Sequence, residues 1–195
     1  MLTIHVIAVF LLMASSQLIL LENRWRFFLI ALAVQYIGVF WLVSLNWPLG
    51  LAAVKLVVGW MAGAMLAANR LDEEFVEKNV LADLSGKIFR VLAAIVIWVL
   101  MFSVAPTFQT WIPGQDEVLW GGLVLIGAGL LQLGMFNSPL RVSLGLLTVL
   151  SGFEILYSVV ENSILVTGLL AMANLGIALV GAYLISLPEL EVTEE

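Results

Sequence analysis

Three side chains stand where lipid-compatible residues surround them: Glu154 in "LLTVLSGFEILYSVV", Lys55 in "LAAVKLVVGW" and Asn174 in "LLAMANLGIAL". An ionisable group at bilayer depth costs about 2.5 kcal/mol or more, so it is kept for a function or neutralised by a partner. An acid, an ammonium and an amide together suit proton exchange. The acid takes up and releases the proton, the cation sets the cost of ionising it, and the amide orders the acid or nearby water without titrating. Each also has a plainer structural role: Lys55 can snorkel to the headgroups on its flexible stem, Glu154 can be a static hydrogen-bonded acid, and an intramembrane amide is commonly helix glue.

Depth decides whether these groups can meet. Lys55 lies seven residues after Pro48, and Glu154 seven residues before Glu161. At 1.5 Å per residue both sit about 10 Å below the same boundary, so an ion pair is within reach. Ser151, Glu154 and Ser158 share one helix face; Thr167, Ala171, Asn174, Ala178 and Ala182 form another of small and polar groups, suited to close packing. These faces belong to consecutive spans, which can place Glu154 and Asn174 against each other. Gln17, Gln35 and Gln132 lie on three other spans toward the opposite boundary, where they order water or cross-brace helices. Gly59-x-x-x-Gly63 reads as a packing motif, and His5 as an interfacial imidazole near the start of the first span.

The elements that carry these residues follow from composition. Of 195 residues, 63% are hydrophobic and 11% charged, and mean hydropathy is +1.11, which excludes a soluble domain. Apolar runs without strand-like alternation predict helices, because only helices and closed barrels satisfy the backbone in lipid. The expected fold is an all-α bundle of seven transmembrane helices, at about 2–20, 27–46, 48–69, 88–105, 118–136, 139–160 and 164–186. The first span has no basic residue before its core and no small-residue cleavage site after it, and is read as retained.

Arg24, Arg26, Arg70, Lys78, Lys87, Arg90 and Arg141 all lie in or beside the first, third and fifth connections. The positive-inside rule then puts the N-terminus outside and the acidic tail, 188–195, in the cytoplasm of a multi-pass protein of the inner (cytoplasmic) membrane. Trp47, Trp111 and Trp120 are expected at the outer boundary and Trp25 at the inner one. Residues 71–87 have apolar side chains at helical spacing and form an amphipathic connection, either along the membrane surface or as a solvated linker. The reading divides the chain into a four-helix region (1–110), a three-helix region (111–187) and the tail.

With no cysteine and one histidine, the chain offers no thiolate, iron–sulfur, haem or zinc ligand set, and no nucleotide-binding loop is present. Neither cofactor nor metal is expected, nor any nucleic-acid partner. No arrangement for nucleophilic or paired-carboxylate catalysis is visible.

In "SGFEILYSVVENSILVTGLLAMANLGIALVGAYL", Gly152, Glu154, Ile155 and Leu156 stand in the order found in the second helix of the K subunit of NADH:quinone oxidoreductase, a family related to the C subunits of cation/proton antiporter complexes. The last three spans resemble that subunit, including the direction in which its first helix crosses. The whole chain is similar to component E of hydrogenase-4, whose third helix carries a lysine and an Ala-Ala exit, here Lys55, Ala67, Ala68 and Asn69. The resemblance implies a non-catalytic membrane-arm subunit beside large antiporter-like subunits, moving protons or sodium ions, with Glu154, Lys55 and Asn174 as the relay. One departure stands out: Asn174 occupies the place of the family's second carboxylate, and an amide releases no proton. Alternatives are an assembly subunit with no ion path of its own and, with less in favour, a stand-alone transporter, which would be expected to show internal repeats.

Overall fold

A computed structural model describes residues 2–22, 24–68, 80–112 and 114–187, and among them seven α-helices: α1 (Leu2–Leu21), α2 (Trp25–Val43), α3 (Leu49–Ala68), α4 (Val80–Gln109), α5 (Asp116–Met135), α6 (Pro139–Val160) and α7 (Ile164–Ser186). All seven are long and apolar enough to cross a membrane. The acidic tail and residues 71–79 of the amphipathic connection lie outside the described residues; the end of that connection, 80–87, is the beginning of α4. Prolines mark helix starts. Pro48 precedes α3 and Pro139 opens α6, where a missing N–H costs no helical hydrogen bond. Pro106 differs: α4 runs through it to Gln109, beyond the expected end at 105. The break it makes in the hydrogen-bond ladder falls in the last turn, where little helix remains to be lost.

Six helices close a ring in the order α1, α2, α3, α7, α6, α5, and α2 also touches α6 across it. The three-helix region is therefore interleaved with the four-helix region, α5 packing on α1, α6 on α2 and α7 on α3. α4 joins from outside, against α5 and α1. Its position shows in its surface: 11% of its span is buried, against 61% for α5 and for α6. Ile88, Phe89, Leu92, Val96 and Val99 point away from the protein, as they do where lipid is the solvent.

The tightest crossing is between α5 and α6. A β-carbon at Gly152 would stand 2.6 Å from the carbonyl oxygen of Gly122, so the two backbones touch with no side chain between them. This contact seats α6 against α5 and leaves its polar face toward α2, α3 and α7. Two apolar clusters flank that face. One joins Leu32, Tyr36, Leu66, Leu144, Leu147 and Ala178; the other joins Leu12, Val39, Leu42, Trp47, Ala52 and Ile155.

Candidate functional site

Lys55 and Glu154 meet, as their matched depths allow. Lys55 Nζ donates to Glu154 Oε1 at 2.7 Å, and both side chains have no exposed surface. Lys55 therefore does not snorkel. Asn174 also reaches the pair, its Nδ2 donating to the same Oε1 at 2.7 Å and to the Leu170 carbonyl at 3.1 Å. The small-residue face of α7 makes this possible, since Thr167, Asn174, Ala178 and Ala182 are all buried and allow close helix approach.

A residue missed by the sequence reading completes the network. The Tyr36 hydroxyl donates to Asn174 Oδ1 at 2.8 Å, and Ser151 lies beside that hydroxyl. A chain of hydrogen bonds thus runs from α2 through α7 and α6 to α3: Tyr36 to Asn174 to Glu154, with Lys55 donating from the far side. The signal available in the sequence was a tyrosine in mid-span, whose hydroxyl must find a partner in lipid or protein. Gly59 makes room for it. The ring of Tyr36 lies where a β-carbon at Gly59 would be, and Gly63, one turn on, faces Leu32. The glycine motif of α3 is thus a seat for α2.

Trp47, in the connection between α2 and α3, is packed inside the protein: only 3% of its surface is exposed. Its ring centroid lies 5.9 Å from Lys55 Nζ, and its Nε1 donates to the Glu161 carbonyl at 2.9 Å. A cation over an indole face is attracted to the ring's quadrupole, so Trp47 both covers the ammonium and favours its charge. Glu154 has one further feature. Its Oε2 is buried with no hydrogen-bond partner among the described residues.

The remaining polar residues sort by distance from this centre. Gln35 is fully buried and donates to Thr148 Oγ1 at 3.3 Å, bracing α2 against α6. Ser151 bonds back to the Leu147 carbonyl, Ser158 to that of Ile155 and Thr167 to that of Ser163; Ser158 also accepts a 3.4 Å bond from Asn46. Gln132 is buried near the end of α5 and Gln17 lies near the end of α1; neither amide bonds within the described residues. The structure does not bring these two glutamines to Glu154.

Chemically, the site is a carboxylate held on one oxygen by a cation and an amide, while the other oxygen retains acceptor capacity. Such a group can bind a proton at Oε2 without losing either contact at Oε1. Among the described residues no group of histidine, cysteine or acidic side chains has the spacing to hold a metal ion. No family model, curated protein or solved structure matches the chain.

Proposed function

We propose that the chain is a non-catalytic membrane subunit of an ion-translocating oxidoreductase, of the NADH:quinone oxidoreductase or hydrogenase-4 type, or of a related cation/proton antiporter complex. In it Glu154 gains and loses a proton, Lys55 sets the electrostatic cost of each state, and Asn174 holds the carboxyl in place. The observation that carries this reading is the unequal treatment of the two carboxylate oxygens: Oε1 takes both donors, and Oε2, equally buried, takes none. Coupling is electrostatic. In a low-dielectric interior a charge that moves in a neighbouring subunit changes the protonation of Glu154 at a distance.

The resemblance to K-type and hydrogenase-4 component E subunits supports large antiporter-like subunits as partners and protons or sodium ions as cargo. The distribution of arginine and lysine supports an outside N-terminus and a cytoplasmic C-terminus, in the inner membrane. The test is Glu154→Gln in the assembled complex, with electron transfer and ion movement measured separately. Retained electron transfer with lost ion movement is the expected result; unchanged ion movement rejects the relay.

A second reading has its own support. The Tyr36–Asn174–Glu154–Lys55 chain ties four helices together, which is what a static brace in an assembly subunit requires. That reading expects ion movement to survive replacement of both charges by apolar residues of similar volume.

A further inference from the structure

Between α1, α2, α5 and α6 a polar layer lies under an apolar one. Leu12, Val39, Leu125 and Ile155, one from each of these helices, pack in a single cluster. One or two turns further along, toward the boundary where α1 ends and α6 begins, the same four faces carry Ser16, Gln35, Gln132 and the pair Ser151 and Thr148. All five are buried. The two helix ends share that boundary, because Arg141 Nη2, in the first turn of α6, donates to the Glu22 carbonyl just past α1 at 2.9 Å.

Two side chains of this layer carry hydrogen-bonding capacity that the helices do not use. Gln35 Nε2 donates to Thr148 Oγ1 at 3.3 Å, but Gln35 Oε1 is buried without a partner among the described residues. Gln132 is 1% exposed, and neither its Nε2 nor its Oε1 has a partner among them. Unpaired amide atoms in an interior are costly, and they are commonly satisfied by buried water, which makes about three hydrogen bonds to such groups.

The position of Gln132 gives that water a direction. Nearer the boundary the faces of α1, α2 and α6 turn apolar again at Ile19, Leu32 and Leu144. Gln132 stands at their level: its neighbour Leu133 lies 3.1 Å from where a β-carbon at Gly145, next to Leu144, would be. An amide on α5 therefore interrupts the apolar layer. At the deep end, Thr148 is one turn from Ser151, which lies beside the Tyr36 hydroxyl and one turn from Glu154. The far side of the charge pair is covered by Trp47. We propose that Gln132 and Gln35 hold buried water, and that Glu154 exchanges protons along it with the boundary where α1 ends; this rests on the relay reading above. Each water, and the Ser151 hydroxyl, gains one proton as it passes another on, and the last is taken up by the Glu154 carboxylate. The amides hold the oxygens in line and do not titrate.

Water-edited NMR of the full chain in phosphatidylcholine bilayers tests this without any variant. Magnetisation from water is expected to reach the side-chain amides of Gln132 and Gln35 faster than the backbone amides of Leu12 and Leu125 in the apolar cluster. Gln132→Leu, which puts an apolar side chain of similar volume among Ile19, Leu32 and Leu144, should slow transfer to the Gln35 and Asn174 amides about tenfold, the factor that one lost hydrogen bond carries. Gln17→Leu, which removes a buried amide on another face of α1, should leave both rates unchanged. In the assembled complex Gln132→Leu should slow ion movement by a similar factor. Gln35 and Gln132 amides no faster than those of Leu12 and Leu125 overturn the proposal and make the glutamines dry braces. Transfer to Gln35 that is unchanged in Gln132→Leu overturns it too, as does full-rate ion movement in that variant. The relay itself is tested separately by Glu154→Gln, so a dry layer rejects this route and not the relay.

Discussion

The ring of Tyr36 lies directly against Gly59, with no space between them for a β-carbon. That contact lets α2 approach α3 closely enough for the Tyr36 hydroxyl to hold Asn174, and Asn174 in turn holds Glu154. A glycine on the lysine's own helix thus controls the geometry of the acid.

Gly59→Ala should therefore act at a distance. The added methyl must displace a buried ring, at a cost of about 1–3 kcal/mol. Tyr36→Phe keeps the packing and removes one buried hydrogen bond, a net loss of about 1 kcal/mol, with a further penalty if the Asn174 oxygen finds no other donor. Unfolding in mixed micelles should rank the two, with Gly59→Ala the less stable.

The charge pair makes a non-additive prediction. Lys55→Met or Glu154→Leu alone leaves one uncompensated buried charge and should destabilise by about 3–5 kcal/mol. The double variant removes both charges and should recover most of that loss. The same denaturation assay measures the cycle; additive losses would show that the two groups do not interact.

Asn174→Leu removes a donor to Glu154 and the acceptor of Tyr36 together. Each group left unpaired costs about 1–3 kcal/mol, so the variant should be less stable than Tyr36→Phe. In Tyr36→Phe background the Asn174→Leu loss should shrink, because the hydroxyl is already gone. Undiminished loss would place the two residues in separate networks.

Much of this arrangement could be read in the sequence, for reasons tied to geometry. Helical rise and the positions of Pro48 and Glu161 fix the depths of Lys55 and Glu154, and the three- and four-residue steps in α7 fix the face that carries Asn174. Both calculations need only one helix at a time. Tyr36 and the Gly122–Gly152 crossing were not foreseen, because they depend on which helices become neighbours in the ring, and apolar spans carry little information about that. Trp47 was read from its residue type alone; its contacts with the Lys55 ammonium and the Glu161 carbonyl depend on the same choice of neighbours.

Trp47 also predicts how the pair is shielded. The chain has no cysteine, so a single introduced thiol can be followed without background. Ser158→Cys, at a position only 3% exposed on the Trp47 side of Glu154, should react slowly with a water-soluble maleimide. Adding Trp47→Ala should speed the reaction, by removing the ring that closes this end; Trp47→Phe should change it less. Equal rates in all three would show that some other group closes the site.

The most direct measurement is of the proton itself. Infrared difference spectra of the assembled complex, resting against turning over, report the carbonyl stretch of a protonated carboxyl in an apolar site. The account predicts a band that changes with turnover, is absent in Glu154→Gln and moves when Asn174 is replaced by Leu. Spectra that are the same with Glu154 and with Gln at that position would contradict it, leaving the buried pair a fixed brace.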